Sequence, residues 1–142
     1  MSMLMFDVVG LPAPQGSKRH VGNGVMVESS KKVQPWRDAV AWATREAILA
    51  GGPTFQSGPV GITVSFRLPM PRSRRRVDRD RGWRWADKRP DLDKLLRSTL
   101  DGLTAGGAFG DDCQVVRVTA EKIEVLEWTG ASITISEAWG PA

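Results

Sequence analysis

The chain has 142 residues, 41% hydrophobic and 25% charged, a globular balance with room for one core and too short for two. No apolar run approaches the roughly 18 residues of a membrane-spanning helix, and Met1-Ser2-Met3-Leu4-Met5-Phe6 has neither a basic region nor a small-residue cleavage site. The formal charge is +4 with a pI near 9.7, which suits a polyanionic partner and excludes a strongly acidic or disordered class.

Leu4, Phe6 and Val8 alternate with Met5, Asp7 and Val9, which predicts a first strand ending at Gly10-Leu11-Pro12. A polar loop follows, Ala13-Pro14-Gln15-Gly16-Ser17-Lys18-Arg19-His20, and then Gly22-Asn23-Gly24 suggests a small hairpin or turn. Pro35 opens a helix in which Trp36, Val40, Ala43 and Ala47 recur at helical spacing until Gly51-Gly52. Val60, Ile62, Val64, Phe66 and Leu68 then alternate with polar or small residues, a strand buried on one face and stopped by Pro69 and Pro71.

Residues 69–90 lack apolar periodicity and read as a basic mobile loop. Arg72, Arg74, Arg75, Arg76, Arg79, Arg81, Arg84, Lys88 and Arg89 place nine of the twenty basic residues within eighteen positions. With Lys18 and Arg19 they are candidates for holding phosphates, and Trp83 or Trp85 could stack on an unpaired base. A solvated basic loop with its tryptophans packed back onto the body would look the same.

Leu92, Leu95, Leu96, Leu100 and Leu103 fall within an arc of about 140° of a second helix, closed by Gly106-Gly107. Asp93, Arg97 and Asp101 run along the edge of that arc. Residues 115–125 and 132–136 complete the pattern as two further strands. The order predicts an α+β fold, a mixed sheet packed by two main helices, as a single domain over residues 1–142.

The chemistry rests on absences as much as on what is present. There is no tyrosine and His20 is the only histidine, so a tyrosine nucleophile or a histidine-rich metal site is excluded. Cys113 is the only cysteine, which leaves no internal disulfide and fits a reducing compartment such as the cytoplasm. What remains is carboxylate. Asp91 and Asp93 flank the start of the second helix, and Asp111 and Asp112 return before the next strand. Magnesium asks for two or more hard carboxylate oxygens, with waters kept for the substrate. Asp91 and Asp93 can serve together only if Pro90 holds Asp91 outside the helix, since inside it they would point about 200° apart. Lys94, Arg97 and Lys122 are the cations placed to offset charge on a scissile phosphate. The same aspartates could be plain helix-capping and turn residues.

Arg89-Pro90-Asp91-Leu92-Asp93, Leu100-Asp101-Gly102-Leu103, Gly110-Asp111-Asp112-Cys113-Gln114-Val115-Val116 and Lys122 together resemble the RusA family of Holliday junction resolvases. Pro14-Gln15-Gly16-Ser17-Lys18-Arg19 and Pro35-Trp36-Arg37 are similar to phage and prophage members, so the resemblance runs from about residue 5 to 125. It implies a magnesium-dependent homodimer, with manganese as a substitute, that binds four-way DNA junctions and nicks two symmetric strands in recombination, repair or phage DNA processing. It implies no small-molecule cofactor and a cytoplasmic setting, that of the host if the gene is carried by a phage. By this match Asp91, Asp93 and Asp112 are the metal ligands, with Asp111 beside them. The family usually has asparagine where this chain has Lys94, and lysine where it has Arg97. Arginine can clamp a phosphate but cannot donate a proton at physiological pH. The alternative is a non-catalytic module that grips junctions or single strands through the arginine arm.

Overall fold

A computed structural model describes residues 2–16, 18–20, 26–28 and 31–140, with backbone alone for 18–20 and 26–28. Five strands form a mixed sheet: β1 (Met3–Val9), β4 (Val60–Pro69), β5 (Trp83–Trp85), β6 (Val115–Val125) and β7 (Gly130–Glu137), in spatial order β1-β7-β4-β6-β5. Within this sheet β4 and β6 run parallel and the other strand pairs are antiparallel. A separate two-stranded ladder joins β2 (Lys18–His20) to β3 (Met26–Glu28), and the Gly22-Asn23-Gly24 turn between them lies outside the described residues.

The alternation read in β4 is realised. Val60, Ile62, Val64, Phe66 and Leu68 are buried against the helices, while Thr63 faces solvent on the open side of the sheet. Across that buried face lie α1 (Val33–Leu49) and α3 (Leu92–Ala105). Pro35 sits in the first turn of α1, where its missing N–H costs nothing, and Trp36 and Val40 carry the buried stripe. Full burial of each such side chain stabilises by about 1.5–3 kcal/mol.

Two glycines set the distance between the helices. A Cβ on Gly102 would fall 2.7 Å from the Val40 Cβ, and one on Gly106 would fall 2.6 Å from the Thr44 Cβ. Glycine at both positions therefore lets the backbones approach closely, and the Trp36 indole N–H donates to Thr99 Oγ1 at 3.0 Å across the seam. The matching order of contacts, Trp36 with Thr99, Val40 with Gly102, Thr44 with Gly106, means that α1 and α3 run in the same direction.

One expectation is corrected here. Residues 69–90 are not a structureless loop: they contain α2 (Arg76–Arg81) and β5, which extends the sheet by pairing Trp83, Arg84 and Trp85 with Val125, Glu124 and Ile123. The signal was ionic rather than apolar. Asp78 and Glu124 are both buried, and arginines from the basic run converge on them. Gly82 at φ +87° makes the sharp turn from α2 into β5.

Candidate active site

Asp91 occupies the N-cap position of α3 with extended backbone (φ −69°, ψ 139°), yet its side chain makes no capping hydrogen bond. Ordinary N-cap aspartates use the carboxylate to satisfy a first-turn N–H. Here the carboxylate is exposed and, among the described residues, its one ion pair is with the Lys94 ammonium at 3.7 Å. Asp93 lies within the first turn and is exposed. The pair is thus arranged as Pro90 dictates, one member before the helix and one inside it.

Lys122 braces this corner. Its ammonium donates to the carbonyls of Lys88 at 2.5 Å and Pro90 at 2.7 Å, tying the late part of β6 to the segment that leads into Asp91. Sequence reading made it a charge-stabilising group; the structure gives it a positioning task. A second brace comes from the N-terminal loop. The Gln15 N–H donates to the Lys94 carbonyl at 2.9 Å, and the Ser98 hydroxyl donates to the Ala13 carbonyl at 2.6 Å. The Gln15 side-chain oxygen accepts from Arg37, whose guanidinium also reaches Asp101 at 3.5 Å. The loop is therefore tied along the flank of the helix that bears Asp93. The side chains of Lys18 and Arg19 lie outside the described residues.

The second acidic pair is elsewhere. Asp111 caps a single 3-10 turn (Asp112–Gln114): it accepts from the Cys113 N–H at 2.9 Å, while the Gln114 side chain accepts from Gly110 and Asp111 N–H. The Gln114 amide also donates to the carbonyls of Phe55 and Gly58, at 3.0 Å each, which pins the turn to the body. The hydrogen bond from Cys113 holds the Asp111 carboxyl below its ordinary value. Asp112 is pushed the other way by partial desolvation, by the hydrogen bond with Asp111 and by the charges of Asp111 and Asp101. Asp111 is thus engaged in the turn, and Asp112 is the exposed carboxyl that would gain from a cation.

Within one chain the two pairs do not meet. Lys122 ties the late part of β6 to the start of α3, whereas Asp112 precedes β6 and feels Asp101 near the other end of the helix. Since α3 has 14 residues, its ends stand roughly 20 Å apart. Among the described residues, no three Asp, Glu, His or Cys side chains come together as a ready metal-binding group. The expectation that the helix and its turn would carry Asp112 alongside Asp91 is corrected: an α-helix antiparallel to the strand that follows it separates them. The donor chemistry still fits a hard divalent cation, because every candidate ligand is an exposed carboxylate.

The basic run divides in two. Arg74 makes a bidentate pair with Glu124, both bonds 2.7 Å, and Arg84 lies 3.5 Å from Glu124 and 3.7 Å from Asp78. These two arginines, offered as phosphate ligands, are committed inside the fold. The Arg74 hydrogen bond holds the Glu124 carboxyl below its ordinary value. Arg75 and Arg81 pair with Asp78 and Arg76 with Asp80, but all three remain exposed on the surface. Arg72, Lys88, Arg89 and Arg97 are exposed and, among the described residues, make no ion pair. Neither Asp78 nor Glu124 was singled out from sequence. Glu124 sits on the inward face of β6 beside Lys122, opposite Phe66 and Leu68 of β4, and its burial leaves no mark in the sequence.

These features define a class: a small α+β protein with exposed aspartates at the start of a helix and an arginine-rich surface, a combination suited to work on nucleic acid. Comparison with known proteins narrows it. A family model described as Endodeoxyribonuclease RusA matches residues 9–136. The crossover junction endodeoxyribonuclease RusA of Escherichia coli K12 is 30% identical over 130 residues, covering 91% of this chain and 92% of its own. The similarly named protein of Enterobacteria phage 82 is 29% identical over the same shares, and that of Lactococcus phage r1t is 31% identical over 65 residues, 46% of this chain and 45% of its own. The chain belongs to the RusA endodeoxyribonuclease family. Among the described residues, no helix is long and apolar enough to cross a membrane.

Proposed function

We propose that this chain resolves four-way DNA junctions by magnesium-dependent paired nicks, with manganese as a substitute, and that it works as a two-fold homodimer. The observation that carries this reading is the start of α3, where Asp91 holds an N-cap position without capping and Asp93 stands exposed beside it. Relatives named as crossover junction endodeoxyribonucleases supply the substrate class.

What supports the dimer is what one chain leaves incomplete. Asp91 and Asp93 lie at one end of α3 and Asp112 at the other, and between them β6 has a free edge. β5 covers β6 only at residues 123–125; among the described residues, no strand pairs with residues 115–121 on that side. Val116 and Val118 are exposed there, at 63% and 37%. An unpaired strand edge bearing valines is a template for another strand. A two-fold copy must run antiparallel to it, and centred on Val118 such a pairing sets Val115 opposite the partner's Glu121. The strand register ends near Lys122, and the turn that bears the partner's Asp112, just before its β6, would then come toward the corner where Lys122 grips the Pro90 carbonyl. Asp91 and Asp93 of one protomer and Asp112 of the other would then hold the metal. Bound there, it supplies an activated water and neutralises charge on the scissile phosphate.

This chain's own groups do the rest. Lys122 fixes the backbone ahead of Asp91, Lys94 offsets the charge of Asp91, and Arg97, exposed one turn beyond Asp93, can clamp a phosphate oxygen. A symmetric dimer presents two such corners to two equivalent strands. The test is incubation with a four-way junction and with matching linear duplex, with magnesium or with chelator. Paired, magnesium-dependent nicks confined to the junction are the expected result. Junction binding with no cleavage at any magnesium or manganese concentration would overturn it in favour of a binding module.

A further inference from the structure

On the open face of the sheet the side chains of Trp83 and Trp85 project from β5 over Val125 and Ile123, their cross-strand partners. The rings meet edge to face, 5.4 Å apart at 88°, and both are solvent-accessible, at 36% and 57%. They border a groove of about 720 Å³. Arg81 lies over the Trp83 ring, 5.0 Å from its centroid, and Arg67 is held across the groove by stacking on Trp128 at 4.2 Å. We propose that this groove takes an unpaired nucleobase of the DNA substrate, stacked on the exposed face of one indole, that of Trp85, and edged by the guanidinium groups. The proposal rests on the reading of the chain as a junction-binding nuclease and names a second contact for the same substrate.

Charge distinguishes a base from the other occupants. Arg67, Arg79 and Arg81 in the groove are matched by Asp80, Glu121 and Glu127, so its lining is formally neutral. A channel that tracks phosphates would be net positive. A base is neutral, has a flat π face, and presents amino donors and carbonyl acceptors at its edge, which carboxylates and guanidinium groups respectively complement. The anchoring of β5 points the same way. Arg84, which alternates with the two tryptophans, faces inward to Asp78 and Glu124, while Arg74 clamps Glu124 from the other side. Buried ions thus fix a three-residue strand whose outward side chains are two exposed indoles, a rigid stacking platform rather than a floppy arm. It is also near the chemistry: Trp85 precedes Asp91 by six residues, at most about 20 Å of extended chain.

The experiment compares the wild type with Trp85→Ala and Trp85→Phe in chelator. Each is titrated by fluorescence anisotropy with a four-way junction, a ten-nucleotide single strand, and the same strand with its bases replaced by abasic sites. The base-bearing strand should bind the wild type more tightly than the abasic one. Trp85→Ala should lose about 10- to 100-fold of affinity for the base-bearing strand, Trp85→Phe should keep most of it, and the slope of affinity against salt should not change. Equal wild-type affinity for base-bearing and abasic strands, with junction binding intact, overturns the base site alone. So does a Trp85→Ala protein that keeps its melting temperature but changes sedimentation from dimer to monomer, which would make the groove a subunit contact. Failure of the wild type to bind the junction at all overturns the underlying nuclease reading as well.

Discussion

Replacing Glu124 by glutamine tests whether buried charge holds the β5 segment in place. Glu124 is 6% exposed and receives two 2.7 Å hydrogen bonds from Arg74, with the Arg84 guanidinium at 3.5 Å. Glutamine keeps the shape but leaves both arginines facing a neutral amide. Removing one partner of a buried ion pair costs about 3–5 kcal/mol when the remaining charge is fully enclosed. Arg74 and Arg84 are 18% and 20% exposed, so water screens part of that loss and about 2–3 kcal/mol is a fair expectation. For a chain of this length that lowers the melting temperature by roughly 5–10 °C, measurable by circular dichroism at neutral pH. The pH dependence has a definite sign. Arg74 depresses the Glu124 carboxyl in the folded state, so the stabilisation is fully present above the ordinary value of 4.5 and is lost as pH falls through the lower folded value. The gap between wild type and variant should therefore close below about pH 4.5. A variant melting within 1 °C of the wild type at neutral pH would refute the reasoning.

Further outcomes follow from the same structure. Gly102→Ala places a methyl 2.7 Å from the Val40 Cβ and 2.9 Å from the Arg37 carbonyl oxygen, so it should destabilise by about 1–3 kcal/mol in a urea melt. Asp91→Asn should abolish nicking while junction affinity in a gel-shift assay stays level or rises, because a helix whose N-cap side chain does not cap loses little when that side chain changes. Arg97→Lys should keep cleavage within a few-fold and Arg97→Ala should lower kcat about 10- to 100-fold, since the group is exposed and unpaired among the described residues and only its charge is used.

The parts of the fold that obey an apolar period were legible in the sequence: β1, α1, β4, α3, β6 and β7 stand where alternation or helical spacing put them. The α2–β5 segment was not, because it is organised by ion pairs, to Asp78 from within six residues and to Glu124 from as far as 50 residues away, and ion pairs leave no apolar period. In the site, Pro90 correctly separated Asp91 from Asp93, a local matter of backbone geometry. The place of Asp112 was not legible. It depends on the direction in which α3 returns along the sheet, a consequence of the parallel β4–β6 pairing that no residue near Asp112 encodes. Lys122 illustrates the same limit: its type suggested charge stabilisation, and only the fold revealed that it grips two carbonyls.

The central claim is that the carboxylates of one active corner come from two protomers, and mixing two inactive variants tests it most directly. Asp91→Asn and Asp112→Asn proteins, each inert alone on a four-way junction with magnesium, are co-expressed so that mixed dimers form. In a mixed dimer one corner carries both substitutions and the other carries neither, so the account predicts recovered nicking of a single strand per junction. If the wild type cleaves junctions and the mixed dimer remains inert, all the ligands belong to one chain and the account is wrong.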